Sequence, residues 1–189
     1  EAVAGKCERL EGLDISRNML RRAETRQVYD ELVQQDIVSY LSGQSLDFDY
    51  FVATDVFVYL GDLSEVFKLI KERNRRGCKL AFTVEHHDEN GFVLQQTGRY
   101  AHSRAYIEEL CRRYSGEVVH FEVQNLRMEK SRQLKGGLYV ISFPAEPNLE
   151  KKSREDLKTQ EHIDAVLKYL RAGETVSAEE ISRAYVQQY

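Results

Sequence analysis

The sequence predicts an α/β domain whose mainly parallel sheet is finished by an antiparallel β-hairpin. Short apolar runs alternate with segments of helical periodicity, which is the pattern of β-α-β units. The run Tyr-Phe-Val-Ala at 50–53 is continuously apolar, as in a strand covered by helices on both faces. Two segments of alternating character, 117–129 and 136–143, follow late in the chain and predict the hairpin.

The first half of the chain supplies the elements of the parallel sheet. Ser16 follows a short strand and caps an amphipathic helix, and a later helix begins at Asp62 or Ser64 and is closed by Gly77. The predicted strands of this half are 9–15, 31–37, 48–59 (ending near 54–55) and 78–85, and the later helix ends at about residue 75.

The second half departs from that rhythm. Residues 86–102 form a long polar connection with Gly91 and Gly98, and connections of this length usually act as lids or binding loops. Ser103 then caps a helix that runs to about Tyr114. A hairpin after this helix is unusual, because an ordinary dinucleotide-binding fold would continue with another parallel strand.

The composition shifts beyond Pro144. Residues 144–156 carry a dense run of charges and predict a linker between the domain at 1–143 and a C-terminal appendage at 157–189. The appendage is predicted to be two helices that could bind a protein partner, at about 157–172 and 178–188, the second opened by Ser177 with Glu180 in capping-box spacing.

Charge and cysteine content narrow the range of functions. The net charge of -4 and the pI near 5.8 leave no basic footprint, so nucleic acid and anionic membranes are unfavoured partners. No apolar run approaches the roughly 20 residues that span a bilayer, so we expect a cytoplasmic protein without a membrane partner. The cysteines lack the spacing of metal ligands, so no metal site is predicted and they are interpreted as reduced thiols; they are Cys7, Cys78 and Cys111.

Three segments carry a family resemblance. The segment 12–20 (GLDISRNML), the segment 29–37 (YDELVQQDI) and the segment 48–63 resemble, in order and spacing, the second, third and fourth motifs of class I S-adenosylmethionine-dependent methyltransferases. The likeness is close to the predicted methyltransferases that are associated with TPR repeats, to which the segments 98–103 (GRYAHS) and 137–140 (GLYV) are also similar. The resemblance covers residues 1–143 and implies a Rossmann-like methyltransferase sheet that binds S-adenosylmethionine.

The resemblance assigns two acids to the nucleoside of the cofactor. Asp14, with Ile15 beside it, ends the second strand of the family pattern, where a carboxylate can accept both ribose hydroxyls. The alternative is that Asp14 only begins the following helix. Asp36 would accept a hydrogen bond from the adenine amino group, and the backbone N–H of Ile37 would donate to a ring nitrogen. The alternative is that Asp36 is a solvated acid at the end of a strand.

The resemblance places the reacting groups near the next strand end. Thr54 and Asp55 would line the crevice outside the carboxyl edge of the sheet, where ligands of open α/β sheets bind. Both are assigned to the cofactor, with Asp55 facing either its methionine end or, as the alternative, the substrate. Tyr59 is assigned to the substrate, although its neighbours favour a core or pocket-wall role. The Asp/Asn-Pro-Pro-aromatic signature is absent, which disfavours methylation of nucleobases.

The acceptor contacts are predicted in the segment after the long connection. His102 is the predicted catalytic base, chosen over His86 and His87, and each of them has the alternative of being a surface or loop histidine. Arg99 and Tyr100 are assigned to the substrate, Arg99 as the partner of a carboxylate or phosphate, with a structural salt bridge as its simpler alternative. The acceptor itself is expected to be a small molecule or a protein.

The start of the sequence departs from the family pattern. Residues 1–5 already look like the helix that should follow the first strand and its glycine-rich turn, so that strand, which normally lies mid-sheet between the second and fourth, is missing. The gap would leave two apolar edges that should aggregate or recruit another segment. Three explanations compete: a fragment of a longer enzyme, which we favour, a strand supplied from elsewhere, or a degenerate domain.

Two functions follow from these explanations. The first is S-adenosylmethionine-dependent methyl transfer, and the second is a noncatalytic methyltransferase-like scaffold or interaction module that no longer binds the cofactor. A Rossmann oxidoreductase is a weaker third interpretation, because the terminal hairpin argues against it.

Overall fold

The described residues of the protein fold around a nine-stranded mixed sheet. The structure is a computed structural model that describes residues 7–43, 46–129, 132–146 and 183–188, and it describes only the backbone at 124–129, 132–134 and 183–188. The strands are β1 Arg9–Asp14, β2 Glu31–Gln34, β3 Tyr50–Thr54, β4 Cys78–His86, β5 Phe92–Leu94, β6 Tyr100–His102, β7 Glu117–Glu129, β8 Arg132–Phe143 and β9 Arg183–Gln188. The helices are α1 Arg17–Glu24, α2 Ile37–Leu41, α3 Ser64–Arg73 and α4 Arg104–Arg113, with a 3-10 turn at Phe57–Tyr59.

The sheet combines a parallel centre with antiparallel additions. Its order begins β2-β1-β9-β3-β4, and the pairs β1/β2 and β3/β4 are parallel. One edge of β4 pairs with β3 and, at the carboxyl end of β4, with β6, while the opposite edge pairs with β8 over residues 78–85. The strands β7 and β8 form the long antiparallel hairpin, and within the part of the chain that the structure describes β5 pairs only with β6. The predicted α/β fold, with its mainly parallel sheet and terminal hairpin, is confirmed.

The end of the sequence contradicts one prediction. A helix was predicted at about 178–188, but Arg183–Gln188 forms β9, which lies antiparallel between β1 and β3. These six residues therefore belong to the sheet and not to a helical appendage, so a docking surface made of two helices is not retained. The backbone groups along two facing strand edges outweigh a local helical preference, because each edge otherwise lacks hydrogen-bond partners. The predicted helix at 157–172 lies outside the described residues.

Caps decide several element boundaries. Ser16 and Ser103 cap α1 and α4 as predicted, each accepting the backbone N–H three residues on, at 3.4 Å and 3.1 Å. The prediction of one strand over 31–37 is wrong, because Asp36 accepts the N–H of Ser39 at 2.9 Å and starts α2. The strand predicted within 48–59 ends at Thr54, which confirms the predicted end near 54–55. No helix in the described part of the chain has the length and apolar character to cross a membrane.

Two apolar clusters hold the layers together. The larger one lies between the sheet and α2, α3 and α4, and aromatic rings dominate it: Phe82 and Tyr139 stack at 5.2 Å, and Phe67 meets Phe82 edge-on at 6.1 Å. Burial of such rings is the main favourable term in folding. The smaller cluster lies on the opposite face of the sheet and contains Leu10, Val52, Ala81, Leu138 and Val140.

A buried amide joins the starts of the two central strands. Asn74, which is 2% exposed, accepts the N–H of Phe48 at 2.7 Å and donates to the carbonyls of Phe48 and Gly77 at 2.9 Å and 3.1 Å. Gly77 has a φ of +81°, a region that favours glycine, so the turn into β4 depends on both residues. The side chain thereby fixes the register at which β3 and β4 begin.

We predict that Asn74→Ala lowers the free energy of unfolding by about 2–4 kcal/mol, because it removes three hydrogen bonds and leaves buried backbone groups unsatisfied. Urea denaturation followed by circular dichroism measures the change. Glu72→Ala on the exposed face of α3 is the control and should change it by less than about 0.5 kcal/mol. Equal stability of Asn74→Ala and the parent chain would contradict this role.

Candidate functional site

Carboxylates gather at the carboxyl edge of the parallel strands. Asp14 ends β1, Asp55 follows the last residue of β3, and Glu85 is the penultimate residue of β4. The carboxyl ends of parallel strands meet at one edge of the sheet, and ligands of open α/β sheets bind outside that edge. The strands β1 and β3 lie about 10 Å apart, since β9 separates them by two interstrand spacings.

Asp55 occupies an unusual backbone conformation. Its φ of 54° lies in the left-handed region, which aspartate tolerates better than most residues. Its N–H donates to the hydroxyl of Thr83 on β4 at 3.1 Å, which holds the turn after β3 in place. Thr54, the residue before it, is 6% exposed and therefore lies in the wall of the sheet. The turn directs the Asp55 carboxylate, which is 14% exposed, towards Arg99.

Arg99 bridges two strand ends. Its Nη1 lies 3.9 Å from a carboxylate oxygen of Asp55 and 3.9 Å from one of Glu85, whose side chain is 1% exposed. Its Nη2 donates to the hydroxyl of Tyr59 at 3.2 Å, and its guanidinium lies 5.5 Å from the centre of that ring. Two carboxylates and one guanidinium leave the cluster with a net charge of -1. The structure therefore brings the predicted residues Asp55, Tyr59 and Arg99 together.

Glu85 is a member of this cluster that the sequence interpretation missed. The signal was present, because Glu85 follows the apolar run of β4 as Asp55 follows that of β3. A carboxylate this deeply buried requires a charged or hydrogen-bonding partner, and Arg99 supplies positive charge.

The predicted lid is an ordered hairpin. The strands β5 and β6 fold back on each other within 86–102 and pack against the loop before α3. An ideal Cβ on Gly61 would lie 2.8 Å from the ring of Tyr100 and 2.9 Å from that of Phe92, so glycine permits this close approach. Phe92 also meets Tyr106 edge-on at 5.4 Å. The hairpin thus fixes Arg99, which follows its turn, while Tyr100 packs against Gly61.

His102 lies in the interior of this hairpin contact. The ring is fully buried, and its Nε2 donates to the carbonyl of Gly61 at 2.9 Å while it stacks on Tyr106 at 5.8 Å. Burial lowers the pKa of His102 below its ordinary value, against the opposing effect of the hydrogen bond to Gly61. The ring is therefore neutral and anchors the hairpin. This geometry favours a positioning role over the predicted catalytic one.

The other candidate bases also make local contacts. His86, whose side chain is 20% exposed, has its Nε2 3.6 Å from a carboxylate oxygen of Asp88. His87 has its Nε2 3.0 Å from the carbonyl of Gly91, within the connection that leads into β5. Both contacts stabilise the loop between β4 and β5. Among the described residues, no group of three His, Cys, Asp or Glu side chains is arranged to hold a metal ion.

The residues assigned to the nucleoside lie on the β1–β2 side of the edge. Asp14 is 8% exposed and accepts the N–H of Ser16 at 2.7 Å, so it shapes the entry to α1. Ile15 is 71% exposed beside it. Hydrogen bonds from Ser39 at the start of α2 hold the pKa of the Asp36 carboxyl below its usual value. These local contacts are compatible with cofactor binding, because each carboxylate has two oxygens that accept several bonds.

The strand β9 reaches the same edge from the opposite direction. It runs antiparallel to β1 and β3, so its first residues lie at their carboxyl ends: Arg183 is aligned with Thr54, and Ala184 with Leu13 and Ala53. The resemblance expected a parallel strand with a glycine-rich turn at this position. The occupant of the gap is instead a strand from the far end of the sequence.

A small apolar cavity lies against the sheet near this strand. Its volume is about 10 Å³, room for one water molecule, which is far too small for a nucleoside. It separates the sheet from α2 and α3 and is therefore a packing void. Its lining includes Leu13, Ile37, Tyr40, Phe51, Phe57 and Ile70.

Comparison with known proteins identifies the fold. No family model and no curated protein matches the sequence. A S-adenosylmethionine-dependent methyltransferase of Methanosarcina mazei is similar in structure, with a TM-score of 0.55 at 16% identity over 72% of this chain and 82% of its own. The magnesium protoporphyrin IX methyltransferase of Synechocystis, solved with bound S-adenosylhomocysteine, has a TM-score of 0.53 at 14% identity over 70% of this chain and 63% of its own.

A third similar structure limits what the fold implies. It is a cyclase of the 4+2 type, with a TM-score of 0.58 at 13% identity over 72% of this chain and 66% of its own. At these identities the likeness establishes the fold alone, so the protein has the α/β fold of the S-adenosylmethionine-dependent methyltransferases. The name of the cyclase describes another reaction, and function must therefore be argued from the site.

We predict that the stability of the protein falls as the pH drops below about 6.5, the pKa of histidine in the unfolded chain, because the buried His102 resists the proton that the unfolded chain accepts. The loss continues until the pH passes the lower pKa of the folded state. His102→Gln keeps a donor for Gly61 but does not titrate. Urea denaturation between pH 7.5 and 5 should therefore give a smaller pH dependence for this variant, by up to about 1.4 kcal/mol per pH unit. Identical pH profiles would contradict the prediction.

Proposed function

We propose that the sheet domain belongs to an enzyme that transfers a methyl group from S-adenosylmethionine to a small-molecule or protein acceptor. The observation that carries this proposal is the gathering of Asp14, Asp55 and Glu85 at one edge of a methyltransferase-like sheet. This is the edge at which ligands of open α/β sheets bind. A kinship with TPR-associated methyltransferases is part of the proposal and is supported by the segment 98–103, which includes β6.

The β1–α2 side of the edge is proposed to hold the nucleoside. Asp14 is almost buried, so water competes little with ribose hydroxyls for its carboxylate. Asp36 is exposed, and its lowered pKa keeps it ionised as an acceptor for the adenine amino group. The N–H of Ile37 belongs to the first turn of α2, where N–H groups have no acceptor within the helix, and can meet a ring nitrogen. These residues fit the nucleoside.

The sheet position between β1 and β3 does not fit the centre of the cofactor. A parallel strand with a glycine-rich turn would present backbone N–H groups there, whereas β9 runs in the opposite direction and begins at that edge with Arg183. We therefore propose that this sequence is a fragment, that the complete enzyme supplies such a strand, and that β9 takes its place here.

The β3–β4 side is proposed to orient the acceptor. S-adenosylmethionine, when bound, would supply the methyl group from its sulfonium. Asp55 and Glu85 can orient a donor group of the acceptor, and Tyr59, which is 47% exposed, offers it an aromatic face. The positive charge of Arg99 offsets the repulsion between these two carboxylates, and its hydrogen bond to the Tyr59 hydroxyl holds that ring in place. His102 is proposed to hold the hairpin that carries Arg99, because its ring is buried.

A second function is favoured by the strand β9. A domain whose sheet is already complete between β1 and β3 has no opening for a glycine-rich turn, so it fits a noncatalytic interaction module. In that interpretation the buried acids and Arg99 are structural ion pairs.

Calorimetric titration with S-adenosylhomocysteine separates the two functions. We would compare this chain, the same chain ended at residue 182, and a chain extended at its N-terminus by its natural upstream sequence. Binding by the extended chain alone supports the enzyme and its missing strand. Binding by the 189-residue chain supports the enzyme but refutes the need for another strand. No binding by any of them would sink the methyltransferase proposal.

For the chain that binds, we predict that Asp14→Ala weakens the affinity for S-adenosylhomocysteine by about 1–3 kcal/mol, because hydrogen bonds from ribose to a charged acceptor are lost. Asp14→Asn keeps an acceptor for Ser16 and tests the charge alone, so it should weaken binding less. Asp47→Asn is the control, because Asp47 pairs with Arg76 on the surface, away from the carboxyl edge of the sheet. Isothermal calorimetry measures all three, and an unchanged dissociation constant for Asp14→Ala would refute its role.

A further inference from the structure

The strand β5 is apolar and partly exposed, and it lies near the cluster of Asp55, Glu85 and Arg99. Phe92, Val93 and Leu94 are 41%, 45% and 57% exposed. β5 pairs with β6 along one edge, and in the described part of the chain no strand pairs with its other edge. Three consecutive partly exposed apolar residues on a strand with one open edge are uncommon in a protein that has no partner for them, because such an edge invites pairing.

The backbone of β5 is oriented for such pairing. The backbone N–H of Gln95 donates to the carbonyl of Arg99 at 2.8 Å, and the backbone N–H of Ser103 donates to the carbonyl of Gly91 at 3.0 Å. The backbone groups of residues 91 and 95 therefore point towards β6. Groups that face one neighbour alternate along an antiparallel strand, so the N–H and C=O of Phe92 and Leu94 point towards the outer edge. These groups are the ones that an added strand uses.

The surroundings of β5 are acidic. The two segments that frame the cluster, 55–62 and 85–103, contain five carboxylates and one arginine, a formal charge of -4 with neutral histidines. Asp88 and Glu89 lie in the connection that enters β5, and Asp88 is fully exposed. Positive charge on a ligand would complement this region at short range, and salt would weaken the attraction.

We propose that the edge of β5 docks an extended, basic peptide segment of a protein by strand addition. The role of this protein as methyl acceptor rests on the proposed function, while the docking does not. A strand added to β5 would lie about 15 Å from Glu85, three interstrand spacings away through β6. An extended chain advances about 3.3 Å per residue, so a basic side chain some four to five residues beyond the docked segment reaches the cluster of Asp55, Glu85 and Arg99.

Selection from a phage-displayed library of random 12-residue peptides tests the chemistry of the partner. The 189-residue chain should enrich sequences with an excess of Lys and Arg and a run of residues that favour strands, such as Val, Ile and Tyr. Enrichment of acidic or uncharged peptides, or no enrichment over immobilised blank beads, would overturn the proposal. The leading peptide is then labelled with fluorescein, and its affinity is measured by anisotropy.

Two pairs of variants test the mode of docking. Leu94→Pro removes one outward N–H, and we expect a roughly tenfold weaker complex than for Leu94→Ala, which keeps the N–H and matches the loss of side chain. The double change Asp88→Asn with Glu89→Gln should weaken binding severalfold and reduce its salt dependence, whereas Glu72→Gln on α3 should not. Equal affinities within either pair would overturn strand addition or charge recognition, respectively.

The anisotropy measurement is made without cofactor, so its failure is distinct from a failure of the proposed function. Peptide binding by a chain that never binds S-adenosylhomocysteine would retain the docking edge and discard methyl transfer. Cofactor binding without any basic peptide would do the reverse. Displacement of the labelled peptide by a second copy of the chain, seen as dimerisation in sedimentation, would overturn the peptide as the occupant.

Discussion

The structure depends on one strand position, the gap between β1 and β3. The parallel pairs β1/β2 and β3/β4 each present an edge to this gap, and in the described part of the chain no strand pairing joins them except through β9. Five residues of β9 are aligned with each neighbour, so backbone groups on both edges gain partners. Buried edges without partners would cost more than ordering a short terminal strand, which explains why the distant segment is recruited.

Local signals made much of the fold predictable. Apolar runs gave β1, β3 and β4, alternation gave the hairpin, and two serine caps placed α1 and α4. The errors arose where a local signal was ambiguous or where the decisive contact is distant. Asp36 was interpreted within a strand although its side chain caps α2, and β9 was interpreted as a helix because strand pairing with β1 and β3 leaves no trace in its own sequence.

The candidate site was predictable for a similar reason and to a similar extent. An acid that directly follows an apolar run is expected at the end of a strand. This expectation placed Asp14 and Asp55 at the carboxyl edge of the sheet, but it was not applied to Glu85. The association of Arg99 with Asp55 was not foreseen, because it depends on how the β5–β6 hairpin folds back. The burial of His102 depends on the same packing, so its sequence position alone suggested chemistry where the structure has an anchor.

The edge of the sheet therefore has two unequal halves. The acids of β1 and α2 and those of β3 and β4 flank a position that a methyltransferase-like site would use for its cofactor, and β9 occupies that position. Fold likeness alone does not establish methyl transfer, since one similar structure is named for a cyclisation. What decides is whether another strand can replace β9 in the gap.

A disulfide placed across β9 and β3 tests this placement most directly. Ala53 and Ala184 are aligned partners, and paired antiparallel residues lie within the Cα separation that a disulfide requires. In a chain with Cys7→Ser, the pair Ala53→Cys with Ala184→Cys should form an intramolecular disulfide on mild oxidation, seen as a mobility shift reversed by reductant. The pair Ala53→Cys with Tyr185→Cys, one residue out of register, should not. Equal crosslinking of both pairs, or of neither, would contradict the position of β9.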